Sequence, residues 1–160
     1  MIWLGIDPGL AIIGWAILEG KENEHPILIE YGTIETDKHL STPERLVELE
    51  RDFVEILKEF KPNFVAMEMP FFSREIKAAG GVLQGVGVIN LVCYREANLI
   101  PILLHQSSWK AHLCRGNAKK DEVAEVLQNL FNLEQLPIND TVDAIGIGYA
   151  AFCGLRNDII

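Results

Sequence analysis

The chain has 160 residues, 49% hydrophobic and 23% charged, which is enough to close one compact core; we expect a single domain over residues 1–160. No repeat or linker-like tract divides it, and every long apolar run is broken by Gly, Asp or Pro before it could cross a bilayer, which excludes a membrane-spanning class. Fourteen Lys and Arg against 23 Asp and Glu give a net charge of −9, which excludes a broad basic surface of the kind that coats nucleic acid. Phosphate binding survives this balance only where cations neutralise clustered carboxylates and the few basic residues share one face.

Asp7-Pro8-Gly9 interrupts the apolar start from Ile2 to Leu18, and no basic leader or cleavage site accompanies it. The expected location is the cytoplasm of a bacterial or phage-infected cell, with an organelle matrix as the second choice. Cys93, Cys114 and Cys153 are odd in number and far apart, as reduced, buried or inert thiols are. His112-x-Cys114 has no second ligand pair at zinc-site spacing.

Ile2-Trp3-Leu4-Gly5-Ile6 reads as a buried strand that Asp7 ends before a tight Pro-Gly turn. Ile12–Leu18 and Ile27–Ile34, separated by a polar turn, complete a three-stranded antiparallel meander. Ser41-Thr42-Pro43-Glu44 combines a hydroxyl cap, a first-turn proline and a capping-box Glu. Leu46, Leu49, Phe53, Ile56, Leu57 and Phe60 then recur at helical spacing. Phe64–Met67 is a short continuous apolar run, as in a strand covered on both faces, and Glu68 ends it.

The segment from about Ser73 to Asn98 has a helical pattern. Its four glycines, Gly80, Gly81, Gly85 and Gly87, each cost about 1 kcal/mol inside a helix and suggest close approach of another backbone. Ile100–Leu104 reads as a fifth strand, His105–Asn117 as a polar loop, and two helices follow from Ala118 and from Asn139 or Asp140. The order is an α/β pattern, a five-stranded mixed sheet of three antiparallel strands and two parallel additions flanked by helices. Ligands of such sheets collect at strand ends.

Asp7 and Glu68 end apolar strands, and Asp140 and Asp143 lie three apart on one helical face. Taken singly, Asp7 is also an ordinary turn residue, Asp140 an N-cap and Asp143 a first-turn acid favoured by the helix dipole. Glu68 fits such a reading less well, because an acid directly after Phe64–Met67 is costly to bury unpaired. Together the four acids favour a site for hard divalent cations. Phosphodiester hydrolysis with two metals about 4 Å apart requires such carboxylates.

At this point the sequence resembles the RuvC family of Holliday-junction resolvases. Leu4-Gly5-Ile6-Asp7-Pro8-Gly9 with Gly14 is similar to its opening motif, and Pro43–Leu46 with Phe60-Lys61-Pro62 to its first helix. Met67-Glu68-Met69-Pro70-Phe71 and Leu83-Gln84-x-x-Gly87-Val88 match in turn, followed by Asn117-Ala118-Lys119-Lys120-x-x-Val123 and Asp140-x-x-Asp143-Ala144. These matches run through nearly the whole chain in the family's order.

The resemblance implies an RNase H-like fold, a homodimer, and paired symmetrical nicks across a four-way junction. It also implies two Mg²⁺ ions per active site, for which Mn²⁺ can substitute, held by Asp7, Glu68, Asp140 and Asp143. Phe71 would meet DNA near the junction centre, and Lys110 and Lys120 are the nearest matches to lysines at the scissile phosphate. Met69 stands where family members have Gln, and Leu155–Ile160 where they carry a basic tail. A phage or mobile-element version would fit these departures, and no residue specifies docking to a branch-migration motor.

Lys110, His112, Arg115, Lys119 and Lys120 form a positive island between Trp109 and Asp121. Lysines at a helix N-terminus oppose the helix dipole, so Lys119 and Lys120 are better explained by phosphate than by stability. Arg74 and Lys77 extend this DNA-binding face, and Phe71 can stack on an unpaired base, whereas Phe72 is expected in the core. Two alternatives to junction resolution remain. One is an RNase H-like nuclease acting on other branched DNA or on RNA–DNA hybrids. The other is a non-catalytic junction-binding protein whose acids hold a structural ion.

Overall fold

A computed structural model of the chain describes residues 1–70, 76–135 and 139–156, with the backbone alone for 76–79 and 139. In chain order the elements are β1 (Ile2–Asp7), β2 (Ile12–Glu19), β3 (Ile27–Glu35), α1 (Thr42–Phe60), β4 (Phe64–Glu68) and α2 (Ile76–Ala97). They continue with β5 (Ile102–Leu104), α3 (Gln106–Leu113), α4 (Lys120–Phe131) and α5 (Asn139–Phe152). The strands lie in the order β3-β2-β1-β4-β5. β1, β2 and β3 pair antiparallel, while β4 and β5 add in parallel. This is the mixed sheet expected from the sequence.

The start of α1 follows the capping-box reading, since the Ser41 backbone N–H and hydroxyl donate to Glu44 Oε2 at 2.8 and 2.6 Å. Its end is set by Lys61, which takes left-handed backbone angles (φ 46°) just before Pro62. The next residue then ties two strand starts together: Ile2 N–H donates to Asn63 Oδ1 at 2.7 Å, and Asn63 N–H to Ile2 O at 2.8 Å.

One expectation needs correction. His105–Asn117 is not all loop, because Gln106–Leu113 forms α3. With two large apolar residues, Trp109 and Leu113, one helical turn apart, the segment has too little apolar periodicity to stand out, yet Trp109 is wholly buried. The three cysteines are free, as expected: Cys93 is buried, and burial pushes its thiol up to about 12, while Cys114 and Cys153 are exposed. Phe72 lies outside the described residues. Among the described residues no helix is long and apolar enough to cross a membrane.

Strand alternation divides the core into two layers. Leu4, Ile6, Ile13, Ile17, Val65 and Met67 face α1 and α2. The intervening positions, among them Trp3, Ala16, Leu18 and Ala66, face α3, α4 and α5. The α5 side of the sheet centre is lined by small residues. A methyl on Gly5 would sit 2.2 Å from Ala144 O, and one on Gly14 would sit 1.8 Å from Asp140 O. On the helix, Gly148 returns the fit, with Gly5 Cα 3.3 Å from where its Cβ would be. These glycines let the α5 backbone touch the sheet backbone.

The glycines of α2 behave unequally. A Cβ on Gly85 would meet Gly9 O at 2.8 Å and one on Gly81 would meet Leu10 Cδ2 at 2.8 Å, whereas Gly80 and Gly87 have nothing within 4 Å. Two of the four therefore serve close packing against the turn after Asp7, and two face open space.

Gly14→Ala should lower the unfolding free energy by about 2 to 3 kcal/mol, because backbone rather than a flexible side chain must yield. Gly80→Ala, in open space within a helix, should raise it by about 0.5 to 1 kcal/mol. Urea unfolding of the two variants beside the parent checks both signs.

Candidate active site

The sheet register places the first two acids side by side. Ile6 pairs in parallel with Met67, so Asp7 and Glu68 follow as the next residues of adjacent strands. Alternation turns both toward the α5 face, in phase with Trp3 and Gly5 on β1 and with Ala66 on β4. Asp7 also pairs across to Gly14, where the carbonyl of Asp140 makes its close approach. The glycine contacts thus deliver the first turn of α5, carrying Asp140 and Asp143, to the ends of β1 and β4.

The charges in this cluster oppose one another. Burial first, then the Asp143 and Glu68 carboxylates, push Asp7 from its ordinary 3.8 up to about 7; nearby Lys120 opposes the shift. Burial likewise raises Glu68 and Asp143. For Glu68 the hydrogen bond from Trp109 is the largest opposing influence, and for Asp143 it is Lys120.

Lys120 Nζ lies 3.3 Å from Asp143 Oδ2, and Asp143 Oδ1 is buried with no hydrogen-bond partner. A buried carboxylate oxygen left bare, amid acids that Lys120 and Lys110 only partly offset, fits a hard cation. Among the described residues no group of three or more His, Cys, Asp or Glu side chains is gathered tightly enough to hold a metal by itself. The arrangement is an open cluster of oxygen donors with unbalanced charge.

Of the residues expected to meet DNA, Lys110 and Lys120 both lie near enough to act on Glu68 and Asp143. Lys119 is exposed just before α4, its backbone N–H donating to Glu122 Oε2 at 2.7 Å. The Arg115 guanidinium is engaged by Glu122. Phe71 and Arg74 lie outside the described residues, as does the Lys77 side chain.

Two residues that touch Glu68, and two that hold the turn after Asp7, are not singled out by the sequence. Trp109 Nε1 donates to Glu68 Oε2 at 2.8 Å, and Gln106 Nε2 approaches Glu68 Oε1 at 3.5 Å. Thr36 donates from Oγ1 to Leu10 O at 2.6 Å and from its backbone N–H to Ala11 O at 3.1 Å, and Arg45 Nε in turn donates to Thr36 Oγ1 at 2.9 Å. These last two clamp the turn that follows Asp7. The one signal available for Trp109 was a large aromatic in a polar stretch, where exposure wastes apolar area; Thr36 and Arg45 carried none.

A family model described as crossover junction endodeoxyribonuclease RuvC matches residues 3–151. The chain belongs to the RuvC family. It is 64% identical over 157 residues to the crossover junction endodeoxyribonuclease RuvC of Synechocystis sp., covering 98% of this chain and 94% of that protein. Its identity to the RuvC of Halothermothrix orenii is 36% over 153 residues, covering 92% and 89%.

Both relatives are bacterial. Among solved structures, T. thermophilus RuvC in complex with a Holliday junction substrate matches with a TM-score of 0.87 at 27% identity, covering 95% of this chain and 93% of that one. The RNase H-like reading of the fold agrees with this match. Membership of the RuvC nuclease family implies use of a divalent metal, and the oxygen-only donor set suits one.

The raised Asp7 carboxyl has a consequence for stability. The folded chain holds this proton between about pH 4 and pH 7 while the unfolded chain has released it, so metal-free stability falls as pH rises through that window. In EDTA, Asp7→Asn should therefore match the parent below pH 4 and exceed it by about 2 to 4 kcal/mol above pH 7. Chemical unfolding across this pH range checks the divergence, and Mg²⁺ should narrow the gap by stabilising the parent selectively.

Proposed function

We propose that residues 1–160 form one RuvC-like nuclease domain that resolves four-way DNA junctions by paired symmetrical nicks. Asp7, Glu68, Asp140 and Asp143 would hold two Mg²⁺ ions, replaceable by Mn²⁺. The observation that carries this reading is the meeting of Asp7, Glu68 and Asp143 as mutually repelling buried acids, with Lys120 beside them. When bound, the metals supply an activated water and a counter-charge for the leaving oxygen.

The chain's own residues supply the setting. Asp7 and Glu68, on the rigid ends of neighbouring strands, define one wall of the site, and the first turn of α5 defines the other. Lys120 keeps Asp143 oriented through its 3.3 Å contact. Lys110 and Lys120 offset the negative charge that a phosphodiester brings to an already acidic site, and exposed Lys119 adds a backbone-phosphate contact. Phe71 joins this face on the strength of the family resemblance, Arg115 as part of the positive island between Trp109 and Asp121, and Arg74 and Lys77 as its extension. That the junction, rather than plain duplex, is the substrate is supported by the extent of the likeness to the RuvC proteins.

A homodimer would supply the paired cuts. Leu83, Leu91 and Tyr94 are 40%, 56% and 63% exposed along α2, and the open Gly87 lies among them at spacings of four, four and three residues. This places the four on one helical face, where a second copy would bury apolar area. The work place would be the bacterial cytoplasm, where the DNA is.

A labelled four-way junction, digested with Mg²⁺ beside duplex, flap and RNA–DNA hybrid, tests the reading. The parent should cut the junction in symmetrical pairs and leave the other substrates intact. Asp7→Asn should lose at least about a thousand-fold in rate, or about 4 kcal/mol of transition-state stabilisation, while junction binding in Ca²⁺ persists. Cleavage retained by Asp7→Asn would refute the metal assignment, and preference for the hybrid or the flap would refute the substrate.

A further inference from the structure

Trp109 is the largest wholly buried side chain in the described core, yet it sits in a short helix that is otherwise mostly polar. Its ring is held from behind by α5: a Cβ on Gly146 would stand 2.7 Å from Trp109 Cζ3 and 3.1 Å from Cε3. An indole has one polar atom, and when buried that N–H needs an acceptor. Here the acceptor is Glu68 Oε2, at 2.8 Å. The second Glu68 oxygen is treated differently. Gln106 Nε2 comes only to 3.5 Å from Oε1, at the edge of hydrogen-bonding distance, so Oε1 is left largely available.

We infer that Trp109 is a positioning residue for the nuclease reaction: its indole N–H pins Glu68 Oε2 and thereby presents Oε1 to the cation site. This rests on the proposal that Glu68 is a metal ligand. A glutamate has three rotatable bonds, and at this strand end no other contact among the described residues fixes the carboxylate plane so firmly. Groups that hydrogen-bond a metal-binding side chain in this way set its orientation, and their loss typically weakens metal affinity about 10- to 100-fold. The same ring also carries Lys110, whose Nζ lies 5.5 Å from its centroid, so one side chain braces an acid and a base of the site.

The test separates this role from simple packing. With ¹⁵N-labelled tryptophan, the Trp109 indole N–H, identified by its disappearance in Trp109→Phe, should be shifted downfield by its charged acceptor. It should move upfield in Glu68→Gln and respond to Ca²⁺ in the parent. In calorimetric titration with Mn²⁺, Trp109→Phe should bind about 10-fold more weakly. Its single-turnover cleavage rate at low Mn²⁺ should fall by about the same factor and recover at high Mn²⁺, with junction Kd changed less than about two-fold.

An indole signal that ignores both Glu68→Gln and Ca²⁺ would overturn the inference, and once the signal is assigned this readout is taken on proteins that keep Trp109. So would a Trp109→Phe protein with parental Mn²⁺ affinity, or one whose slower cleavage no amount of Mn²⁺ restores. If instead Glu68→Gln keeps full Mn²⁺ affinity and cleavage while the indole signal moves, the contact stands and the ligand role of Glu68 fails.

Discussion

Where α5 crosses β1 and β2, two backbones lie closer than ordinary side chains would permit, and the chemistry of the molecule depends on that approach. Gly5 and Gly14 on the strands and Gly148 on the helix remove the Cβ atoms that would hold the layers apart. Side chains interleaved between packed layers hold them well apart, by about 10 Å for two stacked sheets. Such a separation would leave Asp140 and Asp143 remote from Asp7 and Glu68. Here the first turn of α5 comes down onto the end of β1. The conserved geometry of strand pairing then needs only to place Glu68 beside Asp7, which the parallel β1–β4 register does.

The price of this convergence is electrostatic. Desolvation and mutual repulsion raise three carboxyls, and the available compensation from Lys120, Lys110 and the Trp109 N–H is partial. A site that is unfavourable alone and relieved by divalent cations is the usual arrangement of a metal-dependent active centre, where strain in the free protein becomes affinity for the metal. The net charge of −9, awkward for a DNA-binding protein, is eased by the same logic. Part of the excess negative charge belongs to this acid cluster, and lysines stand beside it.

The sheet and the positions of the four acids on it and on α5 are legible in the sequence because each rests on short-range pattern. Apolar runs ending in Asp7 and Glu68 give the strand ends, and a three-residue spacing puts Asp140 and Asp143 on one helical face. What closes the site was not legible, since it depends on partners distant in the chain. Gly5 and Gly14 look like weak points in strands until α5 is laid over them. The four glycines of α2 attracted notice by number, yet only Gly81 and Gly85 pack closely within the chain. The α3 helix was read as loop because its one large buried residue, Trp109, is held by contacts with β4 and α5 rather than by periodicity of its own segment. Thr36 and Arg45, which clamp the turn after Asp7, matter through hydrogen bonds that no local motif announces.

In the proposed reading, Asp7, Glu68, Asp140 and Asp143, carried toward one end of the sheet by the glycine-permitted descent of α5, form one cation site. Anomalous diffraction from crystals equilibrated with Mn²⁺ locates the ions directly. Mn²⁺ density is expected between the carboxylates of Asp7, Glu68, Asp140 and Asp143, with Glu68 Oε1 rather than Oε2 facing it. Saturating Mn²⁺ bound elsewhere on the chain, with these carboxylates uncoordinated, would contradict it.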